Sequence, residues 1–164
     1  MTENLTVGSL LDLSTAIEKE MLTFYCHMRH MFSHMPAAKD LWIKLRDDEI
    51  DHITQLYRIK QSLTYGQLSA PADRSMIEKA DRVLRDIHPD RWGEIENLDD
   101  AVELANNYEN SEANQIFLFL AEKYIPTADR IEMIETMVND HLERLISLPS
   151  EIDTPIARKR IPSQ

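Results

Sequence analysis

Leu41-Trp42-Ile43-Lys44-Leu45-Arg46-Asp47-Asp48-Glu49-Ile50-Asp51-His52-Ile53-Thr54-Gln55-Leu56, residues 41–56, decides the fold class. Leu41, Leu45, Glu49, His52, Ile53 and Leu56 recur every three or four positions, the period of one face of an α-helix. Ile59 and Leu63 continue the row. The spacing therefore predicts a long helix that follows Pro36, runs to about Tyr65 and ends at Gly66. Two positions on its apolar row, Glu49 and His52, carry ionisable groups.

Working outward, the same period appears three more times. A first helix is expected from about Ser9, its cap, to Phe32 or beyond, stopped by Pro36, with Leu11, Thr15, Glu18, Leu22, Tyr25 and Phe32 on one face. So short a joint to the second helix makes the two antiparallel. A third helix is expected from Asn97 to Pro126, with Asp99 and Asp100 favourable in its first turn. Its row reads Leu98, Val102, Ala105, Glu109, Glu112, Ile116, Phe119 or Leu120. Thr127 is the expected cap of a fourth, with Ile131, Ile134, Val138, His141, Leu142, Leu145 and Leu148. Between the pairs, residues 66–97 contain Pro71, Pro89 and Gly93 and read as a long crossover with one helical pattern, 73–87. The expectation is an all-α, single-domain four-helix bundle: two antiparallel pairs, a helical core over 9–148, and an extended tail over 149–164.

Composition supports this class and narrows the functions. The chain has 164 residues, enough for one domain, with 43% hydrophobic and 29% charged residues and only 3 glycines. Lys and Arg total 18 against 29 Asp and Glu, a formal net charge of -11, which argues against a nucleic-acid partner. The single cysteine, Cys26, rules out an internal disulfide and a Cys-x-x-Cys metal knuckle. No basic stretch precedes the first apolar run and no apolar run is membrane-length, so a soluble cytoplasmic protein is expected.

The chemistry lies where the apolar rows are interrupted. Burying a carboxylate costs several kcal/mol unless something compensates it. Glu18, Glu49, His52, Glu109, Glu112 and His141 all fall on core-facing positions of four different helices. A shared metal ion is the simplest compensation. Glu49 and His52, three apart, project from one face of their helix. A carboxylate-rich set with a few imidazoles suits iron or manganese, with zinc an alternative. Glu49 alone reads more readily as a salt-bridged or exposed side chain than as a ligand; the coincidence across four helices points to a site.

At this point the chain resembles a known family. In bundle di-iron proteins two helices each give one Glu and two give Glu-x-x-His. Ala16-Ile17-Glu18-Lys19-Glu20, followed by Phe24-Tyr25, resembles the first ligand helix of the ferritin-like superfamily, and of rubrerythrins within it. Ala105-Asn106-Asn107-Tyr108-Glu109 is similar to the third, and Glu109-Asn110-Ser111-Glu112 to its doubled Glu. The resemblance covers about 9–148. It implies two bound iron ions, or one if the site is reduced, cycling with peroxide or dioxygen and fed by an external electron donor. It implies Glu18, Glu109 and Glu112 as terminal ligands, Glu49 as a bridge, and His52 and His141 as imidazole ligands. The fourth helix departs from the pattern: Val138-Asn139-Asp140-His141 has Val138 where the family has a carboxylate. With one cysteine, these 164 residues hold no counterpart of the Cys-bearing rubredoxin domain of rubrerythrin proper. A single-metal protein that sequesters iron without catalysis, and a helical interaction module with a decayed site, remain alternatives.

Tyr25 lies along the same face as Glu18 and can serve as a hydrogen-bonding or electron-relaying group, or simply as core. His27, His30 and His34 fall at helical spacing; at about 100° per residue, His27 and His34 point away from Glu18. They would face solvent or a subunit partner, a homodimer being the expected assembly. A soft-metal site there is the alternative to a plain polar surface. Met21, Met28 and Met137 read as flexible core filler.

Overall fold

The computed structural model describes residues 5–130 and 159–162. Among them the regular structure is helical, joined by two isolated bridges, Thr6 with Pro71 and Asn97 with Lys159. The all-α class is as expected. No helix among the described residues is long and apolar enough to cross a membrane.

Helix α1 spans Val7–Met31. Its cap is Thr6 rather than Ser9. The Thr6 hydroxyl accepts from the Ser9 N–H at 3.2 Å, and the Ser9 hydroxyl accepts from the Thr6 N–H at 3.4 Å. Ser9 thus closes the box from inside the first turn. Gly8 has a structural reason here: a Cβ would lie 3.3 Å from the Leu68 carbonyl oxygen. The close approach lets residues 70–72 pair with the entry of α1, Val7 N–H to Ala70 at 2.9 Å and Ala72 N–H to Leu5 at 2.9 Å.

Helix α2 spans Pro36–Ser62. Pro36 opens it as its first residue, where a missing N–H costs nothing; α1 has already ended at Phe32. The end of α2 falls short of the expected Tyr65. Thr64 is extended and caps a separate turn, α3 (Tyr65–Leu68), reciprocally with Gln67. The two long helices are antiparallel, as their contacts demonstrate. Asp12 pairs with Lys60, Glu18 with His52, and Tyr25 stacks on Trp42. As one number rises the other falls.

The segment expected to be an irregular crossover is largely a core element. Asp73 caps α4 (Arg74–Asp86) by accepting from the Ser75 and Met76 N–H groups. Ile77, Ala80 and Val83 are its buried edge, and the helix packs on α1 and on the helix over Glu112–Tyr124. A 3₁₀ turn, Pro89–Glu94, then buries Trp92. The expected third helix is two helices, α5 (Leu98–Glu109) and α6 (Glu112–Tyr124). Asn110 ends the first, its N–H bonded back to Asn106, and Ser111 caps the second by accepting from Ala113. Asn and Ser compete with the backbone for hydrogen bonds and so favour helix ends over interiors. Asn114 holds the joint by donating to the Glu109 carbonyl at 2.6 Å.

The chain turns helical again at 127–130, with Thr127 inside the first turn and the Pro126 carbonyl accepting from Arg130. The expected fourth-helix residues, including Met137, Val138 and His141, lie outside the described residues. So does most of the tail. Residues 159–162 form a non-helical strap: the Arg160 N–H donates to Glu96 at 3.1 Å and the Ile161 N–H to Met31 at 2.9 Å. The strap ties the end of α1 to the start of α5.

Candidate metal centre

Glu18 faces inward from the middle of α1 because Leu11, Thr15, Met21 and Tyr25 share its buried face. Glu49 and His52 face it from α2 for the same reason, flanked by Leu45 and Leu56. The three are nearly sealed from solvent, at 4%, 1% and 4% exposure. The His52 Nδ1 lies 3.3 Å from Glu18 Oε2 and 3.0 Å from Glu49 Oε2. One donor atom from each side chain lies within 4.8 Å of the other two. From α6, Phe117 covers the imidazole with ring centroids 4.9 Å apart.

A fourth ionisable group joins from the end of α5. Glu109 is 4% exposed, and its Oε1 accepts a hydrogen bond from the Tyr25 hydroxyl. Tyr25 is completely buried. Glu109 is near enough to raise the Glu49 carboxyl electrostatically, and Glu109, Glu49 and Glu18 all act on the Tyr25 phenol. The groups therefore share one environment.

The electrostatics show the strain of putting this much negative charge out of water. Burial holds the Glu49 carboxyl well above the ordinary carboxylate range, and Glu18 pushes it further; His52 pulls the other way without cancelling the rise. Burial by itself would depress the His52 imidazole, but Glu49 and Glu18 outweigh it and raise it well above the ordinary value. Burial, then the carboxylates, raise the Tyr25 phenol. A proton on His52 neutralises part of the acid cluster. A divalent or trivalent cation neutralises more, and the donor set fits one: hard carboxylate oxygens with an imidazole, no thiolate, in a dry pocket.

Of the six ligand candidates, the structure brings Glu18, Glu49 and His52 together and sets Glu109 beside them. Glu112 heads α6, across the joint from Glu109 rather than one turn along the same helix; its side chain lies outside the described part, as does His141. His27, His30 and His34 are exposed and stand apart from the buried cluster, the His27 ring lying 5.6 Å from that of Trp92. Met21 and Met28 are core. Sequence reading missed Phe117 as a wall of the site. Its signal was the row Ala113, Ile116, Phe117, Leu120, Ala121, which is buried once α6 is taken as starting afresh at Glu112.

Metal-free protein should therefore hold protons at this site that metal displaces. The sign follows from the raised values. The stability contributed by His52 is complete below its ordinary 6.5 and is lost as pH rises through its higher folded value. That of protonated Glu49 is complete below its ordinary 4.5 and is lost as pH rises through its own raised value. Metal ligation needs both groups deprotonated, so metal affinity should climb with pH and binding near pH ~7 should release protons. Titration calorimetry in buffers of different ionisation enthalpy measures that release; a binding heat independent of buffer would contradict this ligand set.

Compared with known proteins, the chain matches no family model, no curated protein and no solved structure.

Proposed function

We propose that this protein binds iron between its helices and uses it as a redox centre toward peroxide or dioxygen, in the manner of a rubrerythrin-like member of the ferritin-like superfamily. The observation that carries the reading is the buried meeting of Glu18, Glu49 and His52 from two antiparallel helices. Buried carboxylates need a compensating charge, and three carboxylates with one nearby imidazole exceed what a single imidazolium can balance. In this reading Glu49 and His52 hold the ion from one turn of α2, Glu18 completes the set from α1, and Glu109 is the ligand from α5. Glu112 and His141 are the further ligands proposed for a second ion. Iron would supply the change of oxidation state. Tyr25 orients the Glu109 carboxylate and keeps its second lone pairs directed, which is how a hydrogen-bonded neighbour tunes a ligand. The ferritin-like arrangement, with the fourth helix closing the site, belongs to the same proposal.

Val138 favours a second reading, an iron-sequestering protein with one ion and no turnover, because it removes a carboxylate from the fourth helix. Metal analysis of protein purified without chelator decides between them. Two irons per chain with peroxide-dependent oxidation of added ferrous ion is the expected result. One tightly held ion without turnover supports sequestration, and metal-free protein that takes up neither iron nor manganese removes both readings.

A further inference from the structure

The outward side of α2 carries large apolar side chains where a solvent-facing helix carries polar ones. Ile43, Ile50 and Tyr57 follow one another at seven-residue intervals, two helical turns each, and so stand in one line about 21 Å long. At about 100° per residue the line lies on the far side of α2 from the buried Leu45, Glu49 and Leu56. Ile50 and Tyr57 are each 46% exposed. Ile43 and the flanking Ile53 are half-buried, as is Leu22 on the neighbouring α1. None of the five belongs to the core that the described residues build. A single exposed apolar side chain needs no explanation, whereas a row of them marks a surface that is covered by something. Tyr57 is also held ready. Lys19 of α1 donates to its hydroxyl at 3.0 Å, with the ammonium 5.5 Å from the ring centroid. A side chain already fixed loses little freedom when a partner covers it.

Charge and size identify the partner as a second copy of the chain. The molecule carries a net charge of -11, so two copies repel each other over most of their surface, yet residues 43–60 hold four basic and four acidic side chains. Asp51 and Arg58 border the apolar line, again seven residues apart, both exposed and neither with an ion-pair partner among the described residues. A parallel copy would set Asp51 against Asp51 and Arg58 against Arg58. An antiparallel copy sets Asp51 beside Arg58 twice, and in the same register Ile50 meets Tyr57. One two-fold axis near Thr54 satisfies both pairs, as a self-complementary interface requires. The area is also sufficient. With 27 residues α2 is about 40 Å long, and with α1 beside it the face is ~20 Å wide. That is ~800 Å² per copy, the size of a standard stable interface.

We propose that the outer face of α2, flanked by α1, is the interface of a two-fold dimer in which the α2 helices of two copies lie antiparallel. The interface uses only outward side chains, so it is independent of the metal reading of the buried site.

The test uses the full chain, metal-free and in chelator. Sedimentation velocity from about 1 to about 100 µM should show a species of twice 19.1 kDa. Ile50→Asp, at an exposed position, should return the 19.1 kDa species with the helical circular dichroism spectrum intact. Arg58→Asp and Asp51→Arg should each raise the dissociation constant roughly tenfold or more, because each sets like charges face to face. The two together should restore it, which a merely structural role for either side chain would not do. In a Cys26→Ser background, Thr54→Cys, near the axis, should oxidise to a covalent dimer, and Ser75→Cys, on α4, should not. A parent chain of 19.1 kDa at the highest concentration, its apolar line then serving a different protein, overturns the proposal. So does a dimer that survives Ile50→Asp, and a double charge swap that fails to restore association overturns the antiparallel pairing.

Discussion

Glu49→Gln is expected to cripple metal binding while making the metal-free protein more stable. The substitution keeps the shape of the side chain and replaces a carboxyl whose ionised form burial disfavours. Loss of an outer partner of a metal ligand typically costs about 10–100-fold in affinity, so loss of a ligand itself should cost ~100-fold or more. Without metal Glu49 must take up a proton to be buried, a cost that the neutral amide does not carry, so the metal-free fold should gain roughly 1–4 kcal/mol. The two effects oppose each other, and that opposition is diagnostic. If Glu49 were an ordinary partner in an ion pair with His52, at 3.0 Å, its neutralisation would destabilise the protein with or without metal. Chemical denaturation of both proteins, with and without ferrous iron, measures both quantities. A variant that binds iron as tightly as the parent would remove Glu49 from the ligand set.

The second large effect concerns the core below the site. Trp42→Ala should destabilise the protein by about 3–5 kcal/mol, the range for truncating a buried aromatic. Trp42 is fully buried and packs on Phe24, Tyr25 and Phe32. At roughly 2–4 °C per kcal/mol for a chain of this size, thermal unfolding should fall by ~10 °C. Trp42→Phe should lose much less. A loss below ~1 kcal/mol for the alanine variant would mean that the α1–α2 pair does not depend on this contact.

The α1–α2 pair was legible because a row at helical period is a repeated, local signal, and Glu18, Glu49 and His52 stood out as ionisable breaks in it. The joint at Asn110–Ser111 was not. The apolar period runs plausibly through Glu109-Asn110-Ser111-Glu112, and a weak helix former ends a helix only where packing lets it. The Ser111 cap was a visible sign, outweighed by the length of the row. The end of α2 hid similarly behind Leu63 and Tyr65, while the Thr64–Gln67 box that breaks it is a short polar signal. Burial of Trp92 in a Pro- and Gly-containing stretch came from contacts with α1, far away in sequence, and local patterning carries no trace of it. The Tyr25–Glu109 bond spans 84 positions and has the same origin.

The interruption between α5 and α6 makes the pocket mechanically uneven. Glu18, Glu49 and His52 ride on two long rods packed along their lengths. Glu109 rides on a short rod that meets α6 at a corner, while Phe117, the cover over His52, rides on α6 itself. A tilt of α5 about that corner would change the reach of the Glu109 carboxylate and leave the other three side chains where they are. If the site holds an ion as proposed, three of its arms stand on long packed rods and one on a short rod that ends at a corner, so an ion of different radius would be met most readily by the Glu109 arm alone.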